Sequence, residues 1–153
     1  LGDVTRRAAV LLQDASAPGF YCTPSPSASG CIARTQAQGC AHVAGNEPFV
    51  IRAHAVVARS IGGLLYGFGR ASLPFFGATL CVQPPLRRTP HRPTGGAQGC
   101  SGALALDFNA WIRSGIDPAL GPGVQVHTQH WFLDSAPGQR IGLSDAIEFT
   151  VLP

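Results

Sequence analysis

The stretch VQVHTQHWFLD, residues 124–134, places His127 and His130 three apart beside Trp131 and Asp134. Imidazole is both a common metal ligand and a common general base near neutral pH, so this spacing is tested against both chemistries. The run alternates as a strand does, and strand residues three apart point to opposite faces. A strand-borne metal pair needs a spacing of two and a helical pair needs i,i+4 as in HExxH; the chain has neither. The expectation is therefore no metal and no cofactor here. His127 shares a face with Gln125, Gln129 and Trp131, while His130 sits at the core edge with Val126, Thr128 and Phe132.

His42, His54 and His91 are isolated. No GxSxG elbow, SxxK, phosphate-binding glycine loop or CxxCH is present. Asp107 with Asp134, or either with Glu148, is the one carboxylate pairing that could serve acid–base hydrolysis, which needs two carboxylates about 5–9 Å apart in a cleft. Two tryptophans fall beside planar hydrogen-bonding groups: Trp111 with Asp107 and Asn109, and Trp131 with Gln125, His127 and Gln129. Such faces suit sugar rings or a protein interface, and equally a capped core.

These residues must be positioned by a chain of 153 residues with 45% apolar and 12% charged residues, 19 Gly and 13 Pro. Short apolar runs cut by turn formers read as all-β. No run approaches the ~20 apolar residues of a membrane-spanning helix. All eleven basic residues are Arg, and the net charge of +3 is scattered, which argues against nucleic acid as a partner. The densest cluster, PPLRRTPHR, with Arg87, Arg88 and Arg92, lacks interleaved aromatics and reads as a solvated or carboxylate-paired loop.

Five cysteines without a CxxC pair read as loop staples of an oxidising compartment. The expected pairs are Cys22–Cys31 and Cys81–Cys100, each closing a loop of Pro, Ser or Gly, worth roughly 2.5–3 kcal/mol apiece in the chain-entropy model. Cys40 is then left over. The absence of Met, with Leu at position 1, reads as a processed or trimmed chain, removal of a signal peptide being the simplest cause.

Seven to eight short strands are expected: CIARTQAQ, PFVIRAHAVV, IGGLLYGFG, GATLCVQ, GALALDFNAWI, VQVHTQHWFLD and DAIEFTVL head the set. In PFVIRAHAVV, Phe49, Ile51, Ala53, Ala55 and Val57 face one way. In GALALDFNAWI, Leu104, Leu106, Phe108 and Ala110 face the core. LPFFG, PPLRRTPHRPTGG, SGIDPALGPG and DSAPGQRIGLSD read as loops, the third with room for a helical turn. The spacing predicts an antiparallel β-sandwich or jelly-roll-like domain over residues 20–153 with little helix.

Residues 1–19 differ. Val4, Ala8, Leu11 and Leu12 would line a helix, and Ala8, Val10 and Leu12 a strand. A segment of this length has too few internal contacts to order alone, so it reads as an arm that docks on another subunit's sheet edge. SAPG (16–19) acts as the hinge.

The motifs FYC, LLYGFG, PFFGATLCV, PLRRTP, DFNAWI, QHWFLD and LSDAIEFTV, spread over residues 20–153, resemble a secreted β-rich domain without assigned activity in large extracellular proteins of planctomycetes and myxobacteria. The resemblance implies a secreted β domain and carries no catalytic residue. Members of that family often end in Cys-Pro, whereas this chain ends in Leu152-Pro153, so no disulfide to the last strand is expected. The leading expectation is a non-catalytic, extracellular or cell-surface structural or adhesive subunit that self-assembles through Val4, Ala8, Val10, Leu11 and Leu12. The alternatives are a polysaccharide-binding module using Trp111 and Trp131, and a secreted hydrolase.

Overall fold

In the computed structural model, residues 17–138 and 140–153 are described. The assembly-arm positions Val4, Ala8, Val10, Leu11 and Leu12 lie outside them. The described residues form eleven strands: β1 Gly19–Tyr21, β2 Arg34–Gln38, β3 Val50–Val56, β4 Ile61–Gly67, β5 Arg70–Phe75, β6 Ala78–Val82, β7 Arg87–Arg88, β8 Arg92–Pro93, β9 Gly102–Asp107, β10 Gln125–Leu133 and β11 Ile141–Thr150. One short helix, α1, spans Phe108–Arg113.

Every named strand pairing is antiparallel. The largest sheet runs β1-β11-β10-β4-β7, with β8 also on β4; a second sheet runs β2-β3-β9, and β5-β6 is a hairpin. Phe49, Ile51, Leu64, Tyr66, Phe108, Val126, Ile147 and Phe149 fill the space between the two larger sheets. Leu65, Leu80, Val82 and Leu143 join the opposite face of the large sheet to the hairpin. The expected all-β sandwich-like fold is thus present, with the hairpin as a third layer. Because β4 and β10 are covered on both faces, they are buried almost throughout instead of alternating.

PPLRRTPHRPTGG, read as a loop, carries the two short strands β7 and β8, both paired with β4, and four further departures from the sequence reading have physical causes. DFNAWI leaves the strand at Asp107, whose carboxylate accepts from the N–H groups of Asn109 and Ala110 and caps α1. Phe108 and Ile112, four apart, then share the helix face that enters the core. The helical turn lies there and not in SGIDPALGPG. At Ala55, which has φ 58°, a bulge between His54 and Val56 turns Val56 inward in place of Val57. LPFFG is half strand, since among the described residues β5 pairs only with β6 and an edge strand tolerates Pro74. Likewise DSAPGQRIGLSD becomes strand from Ile141 onward, and Gly19 already pairs with Glu148.

The cysteine pairing also differs. The bonds are Cys22–Cys81 and Cys31–Cys100, separated by 59 and 69 residues in the chain. Neither expected local loop is closed by a disulfide. Tyr21 donates its hydroxyl to the Cys81 carbonyl at 2.7 Å, which brings the end of β1 onto β6 and Cys22 beside Cys81. Loops of this length correspond to roughly 4 kcal/mol each in the chain-entropy model, more than the short loops would give. Cys40 is half-buried and takes part in neither bond.

Candidate functional site

The densest titratable cluster among the described residues forms on β10 and β11, whose register sets His127 directly opposite Glu148. His127 Nε2 lies 2.9 Å from Glu148 Oε2. Arg70, at the start of β5, donates through Nε to the same oxygen at 2.8 Å and through a second nitrogen to Oε1. Its guanidinium lies over the Tyr21 ring, 4.3 Å from the centroid, and Tyr21 meets His127 edge-on with centroids 5.8 Å apart.

Burial lowers the His127 pKa, and the hydrogen bond and charge of Glu148 only partly oppose it. The Arg70 hydrogen bonds hold the Glu148 carboxyl below the usual range against the opposite pull of burial. The Tyr21 phenol is pushed up to about 12 by burial, reinforced by Glu148. A carboxylate-oriented imidazole is a general-base arrangement in form. Here, however, His127 is 4% exposed and Glu148 is gripped by Arg70, so the group works as a clasp joining β1, β5, β10 and β11. A groove of about 390 Å³ beside it is lined by Tyr21, Thr23, Arg70, Ser72 and Thr79.

Gln129 and Trp131 share this side of β10, as the alternation predicts; Gln129 is buried under β6, while Trp131 is half-buried. Gln129 Oε1 accepts from the Cys81 N–H at 3.0 Å, while Nε2 donates to the carbonyls of Thr79 at 3.1 Å and Ser144 at 2.7 Å. Trp131 packs against the Leu65–Leu143 cluster. His130 turns the other way, to a cavity it shares with Leu104 and Leu106. The two histidines therefore diverge. Among the described residues no three His, Cys, Asp or Glu side chains gather as metal ligands.

The Trp111 grouping does not survive the helix. Asn109 is fully buried and ties down a loop, accepting from the His42 N–H at 2.9 Å and donating to the carbonyls of Cys40 at 2.9 Å and Glu47 at 3.0 Å. Asp107 is spent on the cap and on the Phe49 N–H at 3.0 Å. Trp111 instead donates to the Tyr66 hydroxyl at 3.0 Å, which donates to Asp117 at 2.6 Å, and Arg87 holds the other Asp117 oxygen at 2.5 Å. Burial raises the Asp117 pKa, but the bonds from Tyr66, Arg87 and the Ala119 N–H outweigh it and leave it lowered.

The carboxylate pairing is likewise dispersed. Asp134 accepts from the Ser29 N–H at 2.8 Å and from the Ser29 hydroxyl at 2.5 Å, closing the loop after Cys22, while Glu148 belongs to the clasp. Sequence reasoning missed Arg70, Tyr21 and Tyr66, whose hydrogen-bond partners lie 45 to 78 residues away in the chain, whereas the carboxylate-paired reading of the Arg87 loop is met by Asp117.

No family model, curated protein or solved structure matches this chain. No helix among the described residues is long and apolar enough to cross a membrane. The two disulfides are compatible with an oxidising compartment.

Proposed function

We propose that the chain is a non-catalytic extracellular structural or adhesive subunit that assembles by laying its N-terminal residues along the sheet edge of a second copy. The observation that carries this reading is the outer edge of β2. Among the described residues no strand pairs with that edge. The Thr35 N–H points away from β3, since it donates to Asp145 Oδ1 at 2.7 Å, so Ala37, two residues on, presents its N–H and C=O to the same outer side. Beside it a groove of about 400 Å³ runs over the exposed face of β2 and β3, lined by Phe20, Gln36, Ala37, Gln38, Val50 and Arg52. Phe20 is 56% exposed and follows directly on the N-terminal segment, so the apolar positions Val4, Ala8, Val10, Leu11 and Leu12 of a neighbouring subunit are the chemistry the groove suits. Head-to-tail contacts of this kind give filaments when the rotation does not close.

Deleting residues 1–17 tests the reading by light scattering after size exclusion, electron microscopy and circular dichroism. The full chain is expected to form concentration-dependent oligomers, and the truncated chain to be a monomer with unchanged β-type dichroism. A full chain that stays monomeric, or a truncated chain that assembles as before, overturns it.

A further inference from the structure

We infer that the tip of the β5–β6 hairpin is an interfacial anchor that inserts into an anionic lipid surface. Phe75 pairs with Ala78, so Phe76 and Gly77 alone make the turn, with φ 51° and 84°. Positive φ at both central residues is the type I′ turn, which Asn-Gly fits and which a bulky side chain at the first position strains. Burial does not offset that strain. Phe76 is 57% exposed and touches Phe75 edge-on, with ring centroids 4.8 Å apart. Leu73 is 42% exposed, and Pro74 beside it is exposed as well. An exposed aromatic side chain held where the backbone disfavours it points to a role outside the fold.

The surroundings select the partner. From Ala71 to Leu86 the chain carries no charged residue, so the hairpin beyond Arg70 is neutral. Arg140 lines one hollow with Phe76 and Gly77 and a second with Arg59. Both arginines are exposed, and neither ion-pairs with a carboxylate among the described residues. The acid lining the second hollow, Asp134, is 3% exposed and already accepts from the Ser29 N–H and hydroxyl. Leu73, Pro74, Phe75 and Phe76 have no polar side-chain atom, so the tip offers apolar area and unpaired positive charge. Those are the two terms that hold a protein at a lipid interface: the rings enter the headgroup boundary and the guanidinium groups meet phosphate oxygens. A protein partner would draw on directional hydrogen bonds that these side chains lack.

The test is co-sedimentation of the full chain with vesicles of phosphatidylcholine and of equimolar phosphatidylcholine and phosphatidylglycerol. Binding is expected to the second, weakening as salt rises. Phe76→Asn supplies the residue the turn prefers, so it should raise the urea midpoint while weakening vesicle binding roughly tenfold or more. A merely structural role for Phe76 would not move the two readouts in opposite directions. Arg59→Gln combined with Arg140→Gln should remove the preference for anionic vesicles at an unchanged urea midpoint. No binding to anionic vesicles, or binding that Phe76→Asn leaves unchanged, overturns the inference. So does a lipid-free oligomer that Phe76→Asn dissolves, which would make a second copy of the chain the occupant of the tip.

Discussion

His127 and His130 stand three residues apart on one strand, both at least 96% buried, and differ in what faces them. On the hairpin side, His127 has Glu148, Arg70 and Tyr21, and Gln129 beside it uses every polar atom of its amide. On the inter-sheet side, His130 has Leu104, Leu106 and Leu64 around a small cavity. Burial lowers both imidazole pKa values, but only His127 has a carboxylate pulling the other way, and His130 falls to about 3. Burial alone sets the charge state on one face, whereas burial balanced against a partner sets it on the other.

The largest effect comes from breaking the polar joint on the hairpin side. Gln129→Leu leaves the Cys81 N–H and the Thr79 and Ser144 carbonyls without their partner in a water-poor interior. The expected cost is roughly 3–5 kcal/mol, read as a lower urea midpoint with an unchanged slope. A loss below about 1 kcal/mol would mean that the amide is not holding the hairpin.

An intermediate effect distinguishes the faces by pH. His130 has a folded pKa of about 3 against an ordinary value of 6.5, so the unfolded chain binds the extra proton. Its stabilising contribution is complete above pH 6.5 and is lost as the pH falls toward 3. Between pH 7.5 and 4.5 that loss is about 3 kcal/mol. His130→Leu should flatten the stability profile by about that amount over the same window, measured by urea melts against the parent chain. Parallel profiles for the two proteins would contradict the assignment.

The smallest effect on stability is expected from Glu148→Gln, whose informative readout is a titration. Removing the carboxylate leaves burial and Arg70 to act on His127 unopposed, so its NMR midpoint should move further below the ordinary imidazole value. A midpoint that stays put or rises would show that the clasp does not tune the ring.

The strand pattern was legible wherever one face meets solvent. Arg52 and His54 against Ile51 and Ala53 alternate as written, and β3 follows them until the bulge at Ala55. Asp107 was misread because Leu104, Leu106, Phe108 and Ala110 keep a strand period that the carboxylate cap then interrupts. The sequence left both tryptophans open between a ligand face and a capped core, and their contacts with Tyr66 and the Leu65 cluster depend on how the layers stack.

By itself the sequence determined the β class, the placement of most strands and the opposite directions of His127 and His130. Each of these follows from the two-residue period of an extended chain and from local turn chemistry. Only the tertiary structure decided that Cys22 meets Cys81 and Cys31 meets Cys100, that Arg70 grips Glu148, and that the hairpin roofs Gln129. Those contacts join residues 48 to 78 positions apart. At such separations local propensity carries no information, and the partner is set by which sheet faces pack together to bury apolar surface.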